Sequence, residues 1–150
     1  MKLLLDASTL IPLLLDYGER LLDITAKMQL YVIDLTFYEV GNSLWKLVSL
    51  AKTISLEDAV EILEVLDVLV KRGLIIAVSF NKLDPHRIIE LAAAEKLTFY
   101  DTSYIVAAEK LNATLATEDR ELREKAGKYV NTVNYEELRR VKGFGSECYF

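Results

Sequence analysis

Three runs in this chain, Leu3-Leu4-Leu5, Leu30-Tyr31-Val32-Ile33 and Leu74 to Val78, are apolar at nearly every position and far too short for independent helices. Ala113 to Thr117 is a fourth of the same kind, and Tyr129 to Val133 is the last and weakest. A strand that does not alternate apolar with polar residues is covered on both faces, which is the condition of a parallel sheet. The segments between the runs supply the cover. Helical spacing is read over Ser8 to Leu15, Glu19 to Met28, Phe37 to Ala51, Ser55 to Arg72, Asp84 to Lys96, Tyr104 to Leu111, Arg120 to Ala126 and Tyr135 to Arg140. Strand and helix alternate from start to end, so the expected fold class is α/β: three layers, with a mostly parallel central sheet of about five strands flanked by helices.

With 150 residues, the chain suits one compact core. We expect a single domain over residues 1–142 and a tail, residues 143–150, of unassigned role whose aromatics dock on the body or on a partner. The helix after Ser55 carries more apolar arc (Ala59, Val60, Ile62, Leu63, Val65, Leu66, Val68, Leu69, Val70) than one core contact needs. A subunit partner or a deep core position accounts for the excess.

Four acids stand against apolar runs rather than in charged faces: Asp6 directly after the first strand, Glu39 in Phe37-Tyr38-Glu39-Val40, Asp101 in Phe99-Tyr100-Asp101-Thr102, and Asp119 just past the fourth strand. Parallel neighbours place Asp6 and Asp119 on one sheet edge, the carboxyl edge where open α/β sheets bind ligands. Plain structural roles compete. Thr36-x-x-Glu39 and Thr98-x-x-Asp101 fit capping boxes, and taken singly each suits a cap better than a catalyst. Asp119 fits the first turn of a helix capped by Thr117. Asp6 has the weakest structural explanation, because a carboxylate after a strand of leucines is costly to bury unpaired. Asp34, at another strand end, is read as a turn or cap residue.

Together the acids imply more than any one of them. Carboxylates gathered on one rim repel each other, and a divalent cation removes the conflict. With one histidine, His86, and one cysteine, Cys148, in the chain, the ligands available are oxygens, which select Mg²⁺ or Mn²⁺ over zinc. Such an ion activates water and stabilises charge on a phosphoryl group, so phosphodiester hydrolysis is the chemistry that follows. The net charge of -5 argues against a nucleic-acid partner. From Arg120 to Lys142, however, seven basic residues face four acids. That excess is either a local basic patch or an ordinary solvated surface. The lone Cys148 fits a reducing, cytoplasmic compartment, and no run is long enough to span a membrane.

Four segments, in order, resemble the PIN domain family and, within it, the VapC-type toxin ribonucleases. They are Leu4-Leu5-Asp6-Ala7-Ser8, Tyr38-Glu39-Val40-Gly41-Asn42-Ser43-Leu44-Trp45, Phe99 to Glu109, and Leu115-Ala116-Thr117-Glu118-Asp119-Arg120-Glu121-Leu122. The resemblance implies that Asp6, Glu39, Asp101 and Asp119 form an acidic quartet holding Mg²⁺ or Mn²⁺, with Ser8, Thr117 and Asn42 as polar neighbours. It further implies endonucleolytic cleavage of RNA, a homodimer, and a cognate VapB-type antitoxin covering the acidic pocket. Basic residues near Lys46, Arg120 and Arg123 are where RNA phosphates are expected.

Two other classes remain open on the residues alone. A phosphoacceptor receiver or aspartate-nucleophile phosphatase also places an acid after the first strand, but Ser8 stands where the phosphatase wants a second aspartate. A non-catalytic PIN-like module that binds RNA or protein is the third reading.

Overall fold

The computed structural model describes residues 1–141 and residue 144. Five strands form one sheet: β1 (Lys2–Leu5), β2 (Gln29–Ile33), β3 (Ile75–Val78), β4 (Thr114–Ala116) and β5 (Thr132–Val133). Their order is β3-β2-β1-β4-β5 and every pairing is parallel. The helices are α1 (Ala7–Tyr17), α2 (Leu21–Thr25), α3 (Asp34–Lys46), α4 (Leu56–Lys71), α5 (Pro85–Glu95), α6 (Phe99–Leu111), α7 (Arg120–Ala126) and α8 (Tyr135–Arg140).

The unbroken apolar strands divide their side chains between two cores. Leu3, Leu5, Leu30 and Val32 face one, shared with α1, α2 and α4. Leu4, Tyr31, Ile33 and Leu115 face the other, shared with α5, α6 and α7. This is the strand period of two, with both faces covered. Helix α6 lies deepest: residues Thr102 to Ala108 are all buried.

Local chemistry sets the helix ends. Ser55 and Asp58 close a capping box at α4, at 3.0 and 3.1 Å. Asp84 caps α5 with Pro85 in the first turn, and Asn112 ends α6 in the left-handed region at φ 51°. Several expected bounds shift, and α6 starts at Phe99 rather than Tyr104. The segment from Glu19 yields a 3₁₀ turn and only the short α2, β5 shrinks to Thr132–Val133, and α3 starts at Asp34 rather than Phe37 and passes into a π-helical turn at Leu47–Ala51. Thr36 explains the early start of α3. Its hydroxyl accepts from Ile33 N–H at 3.2 Å, securing the first turn from inside the helix.

On α4, Ala59, Ile62, Leu66 and Leu69 are buried, whereas Leu56, Val60, Leu63 and Val68 are exposed. The excess apolar arc is therefore surface, and the deep-core explanation is wrong for Val60, Leu63 and Val68. Of the C-terminal tail only Phe144 is described. It is buried, its ring packs edge-on against Tyr17 at 5.9 Å, and Tyr17 Oη donates to its carbonyl at 3.0 Å. The rest of the tail, Cys148 and Lys142 lie outside the described residues. Among the described residues no helix is long and apolar enough to cross a membrane.

Lys96 ends α5 in the left-handed region, at φ 55°, where a Cβ is unfavourable and glycine is not. Lys96→Gly is expected to raise stability by about 0.5–1 kcal/mol, read as a higher urea midpoint at an unchanged slope.

Candidate functional site

The sheet order turns at β1 and β4, which run side by side while their connections lead to opposite edges. A crevice opens outside their carboxyl ends, as such a switch point requires. Leu5 pairs with Ala116, Asp6 N–H donates to Ala116 O at 3.2 Å, and Asp6 and Thr117 leave the sheet together.

Asp6 is buried and fully engaged. Oδ1 accepts from Ser8 Oγ at 2.6 Å and from Thr9 N–H at 3.1 Å, and Oδ2 accepts from Thr117 Oγ1. It is also the N-cap of α1, a structural role that was not expected of it. Ser8 and Thr117 do double duty: Ser8 Oγ accepts from Glu118 N–H at 2.9 Å, and Thr117 Oγ1 accepts from Asp119 N–H at 3.0 Å. The two hydroxyls thus lace the end of β1 to the end of β4.

Glu39 departs from its expected capping role. Thr36 bonds to Ile33 and to Tyr104 rather than to Glu39, and Glu39 Oε2 accepts from Tyr104 Oη at 2.9 Å. Asp101 keeps the cap geometry: its N–H donates to Thr98 Oγ1 at 3.0 Å, and that hydroxyl donates back to Asp101 Oδ2 at 2.7 Å. Asp119 is itself the N-cap of α7, accepting from Leu122 N–H at 2.9 Å. Asp34 is structural, as read, and ties Phe80 N–H to α3 at 2.8 Å.

All four acids line one cleft of about 290 Å³, together with Ala7, Ser8, Asn42, Ser43, Tyr104 and Leu122. Thr117 stands behind it on Asp6. Burial raises the pKa of Asp6 against the pull of its hydroxyl and backbone donors. Burial also raises that of Glu39; the bond from Tyr104 opposes the rise, while the charges of Asp6 and Asp101 add to it. The carboxylates therefore repel each other across the cleft, and the only ligand chemistry they offer a cation is hard oxygen. Among the described residues no three of them gather into a ready-made cation cage. That is compatible with Mg²⁺ or Mn²⁺, since Mg²⁺ usually keeps several waters and takes one or two carboxylates.

The raised values have a consequence for the metal-free protein. A folded acid with a raised pKa holds more protons than the unfolded chain between the ordinary carboxylate range and its own value. Stability from Asp6 and Glu39 is therefore present at low pH and lost as pH rises through that window. Asp58 and Glu95, pulled down by exposed partners, act in the opposite sense at lower pH. Urea unfolding in EDTA is expected to show a shallower fall for Asp6→Asn than for the parent; parallel curves would contradict it.

Three basic residues of the segment from Arg120 are neutralised by acids. Lys125 pairs with Glu121, Lys128 with Glu95 and Arg140 with Glu136, while Arg123 Nη1 donates to Thr117 O at 3.1 Å. These pairs favour an ordinary solvated surface, with Arg123 tied to the end of β4. The sequence reading missed Tyr104, which it counted in the apolar stripe of α6. The signal was its place three residues after Asp101, one turn along the same face.

The family model described as the PIN domain matches residues 3–128. Two curated proteins of Pyrobaculum aerophilum are similar along most of the chain. Exonuclease VapC9 is 34% identical over 122 residues, 79% of this chain and 81% of that protein. Ribonuclease VapC3 is 32% identical over 137 residues, covering 83% and 95%. Among solved structures, PAE2754 from the same organism aligns over 92% of this chain and 86% of its own, at 29% identity and TM-score 0.72. VapBC-1 from nontypeable Haemophilus influenzae aligns over 91% and 99%, at 14% identity and TM-score 0.61, a likeness of fold.

Proposed function

From the premise that the chain belongs to the PIN domain family and to its VapC-type members, we propose that it is a divalent-metal-dependent endoribonuclease, the toxin of a VapBC-type pair. Asp6, Glu39, Asp101 and Asp119 would hold Mg²⁺ or Mn²⁺, with Ser8, Asn42 and Thr117 as polar neighbours. The observation that carries the reading is the convergence of four acids, from positions 6 to 119, on one cleft at the switch point of the sheet.

The bound ion would supply charge stabilisation for the phosphoryl oxygens and an activated water. The chain's own part is to hold oxygens in place. Ser8, Thr9 and Thr117 fix both oxygens of Asp6, Tyr104 fixes one of Glu39, and Thr98 fixes Asp101 at the start of α6. Helix α1 begins at this cleft and α6 has its first turn beside it, so their positive ends favour an RNA phosphate despite the negative net charge.

A second copy and a VapB-type antitoxin are the proposed protein partners. The exposed apolar residues of α4 and the VapC relatives support them. A lysine or arginine from the antitoxin, reaching the acids, would block the cleft by charge-assisted hydrogen bonds. The receiver and phosphatase readings lose ground because the chain belongs to the PIN domain family, whose model matches residues 3–128.

One relative is named an exonuclease and the other a ribonuclease, so the mode of attack needs its own test. Incubation with covalently closed circular single-stranded RNA and Mn²⁺ should give linear product, which an exonuclease cannot make. Trimming of linear RNA alone would replace "endo" by "exo", and no cleavage of either with Mg²⁺ or Mn²⁺ would end the proposal.

A further inference from the structure

Three residues outside the acidic set form a hydrogen-bonded line that ends on one of its members. Ile33 N–H, at the end of β2, lies 3.2 Å from Thr36 Oγ1; Thr36 Oγ1 lies 2.9 Å from Tyr104 Oη; and Tyr104 Oη lies 2.9 Å from Glu39 Oε2. Thr36 is 0% and Tyr104 1% exposed, so water does not compete for these bonds.

The proton inventory gives the line a single direction. A carboxylate can only accept, so the one proton of Tyr104 goes to Glu39. Tyr104 Oη then accepts from Thr36, whose own oxygen accepts from the Ile33 backbone. Every donor in the line is used, and Glu39 Oε2 is tied through two buried hydroxyls to the sheet. Holding Oε2 fixes the orientation of the carboxylate and leaves its other lone pairs to a cation.

The placement adds a second constraint. Tyr104 sits on α6 one turn after Asp101, and Thr36 on α3 three residues before Glu39. The contact between the hydroxyls therefore joins the two helices that carry two of the cleft acids. A phenylalanine at 104 would fill the same space and keep the packing while losing the bonds.

We propose, resting on the metal-dependent reading above, that Tyr104 is a positioning residue for the metal centre, which holds Glu39 in its cation-binding orientation through a relay anchored by Thr36. It acts through Glu39 rather than as a ligand itself. Outer partners of metal ligands typically contribute 10- to 100-fold in affinity.

The test is Mn²⁺ affinity of the metal-stripped, RNA-free protein, measured by electron paramagnetic resonance, with circular dichroism as the check on folding. Tyr104→Phe is expected to weaken Mn²⁺ binding about 10- to 100-fold. Thr36→Val should weaken it in the same direction but less, and Thr36→Ser, which retains the hydroxyl, should restore the parent value. Thr36→Val against Thr36→Ser makes the same comparison should Tyr104→Phe not fold. A purely structural role would lower the melting temperature of Tyr104→Phe and leave its Mn²⁺ affinity within twofold of the parent; that result overturns the inference. Glu39→Gln separates the two levels of the claim. A parent that binds Mn²⁺ and loses it in Glu39→Gln but not in Tyr104→Phe sinks the positioning role alone, whereas a parent that binds no Mn²⁺ sinks the metal-dependent reading with it.

Discussion

Asp6→Asn and Asp101→Asn are expected to cut RNA cleavage by more than about 100-fold, beyond the 10- to 100-fold range typical of outer partners of metal ligands, while both variants remain folded. The caps explain why folding survives. At Asp101 the bond that secures α6 runs from the backbone N–H to Thr98 Oγ1, and asparagine leaves it untouched. At Asp6 an asparagine oxygen can still accept from Ser8 and Thr9, and Thr117, whose hydroxyl now donates to Oδ2, can rotate to accept from the amide. What both variants lose is charge. Cleavage of a labelled single-stranded RNA under single-turnover conditions measures the effect, with the urea midpoint as the control. Rates within a few-fold of the parent would mean that the acids are caps and nothing more.

Addition of Mn²⁺ to chelator-treated protein is expected to raise the melting temperature by roughly 5–10 °C at a concentration 100 times the dissociation constant. That follows from a linkage term of about 2.7 kcal/mol and roughly 2–4 °C per kcal/mol for a chain of this size. Burial first, and the charges of Asp6 and Asp101 after it, hold the pKa of Glu39 up, and a bound cation would offset both. The shift should largely vanish in Asp6→Asn. Differential scanning calorimetry checks both, and an equal rise in parent and variant would place the ion elsewhere on the surface.

The strands announce themselves because a sheet covered on both faces leaves no polar positions, and Leu3 to Leu5 can then be little else. The acids at the ends of β1 and β4 followed from the same logic, since parallel neighbours bring residues 6 and 119 to one rim. Local capping rules were less reliable. They credited Thr36 with capping toward Glu39, when its hydroxyl instead reaches back to Ile33 and across to Tyr104. They also missed that Asp6 is a cap. The two errors differ in cause: Thr36 is drawn to Tyr104, 68 residues away, by tertiary packing, whereas the cap at Asp6 is a local bond from Thr9 N–H that the strand-end reading of that acid passed over. Tyr104 was hidden for a related reason. An aromatic in a helix stripe looks like core, and only the neighbouring helix reveals that its hydroxyl has work to do.

The lacing of Asp6 to Thr117 joins residues 111 positions apart, Asp6 being made well before Thr117. A growing chain on the ribosome therefore has no finished pocket until its fourth strand has emerged and slotted in beside its first. For a nuclease of this kind, potency would arrive abruptly and late, so incomplete translation products would be harmless to the messenger and ribosome that made them.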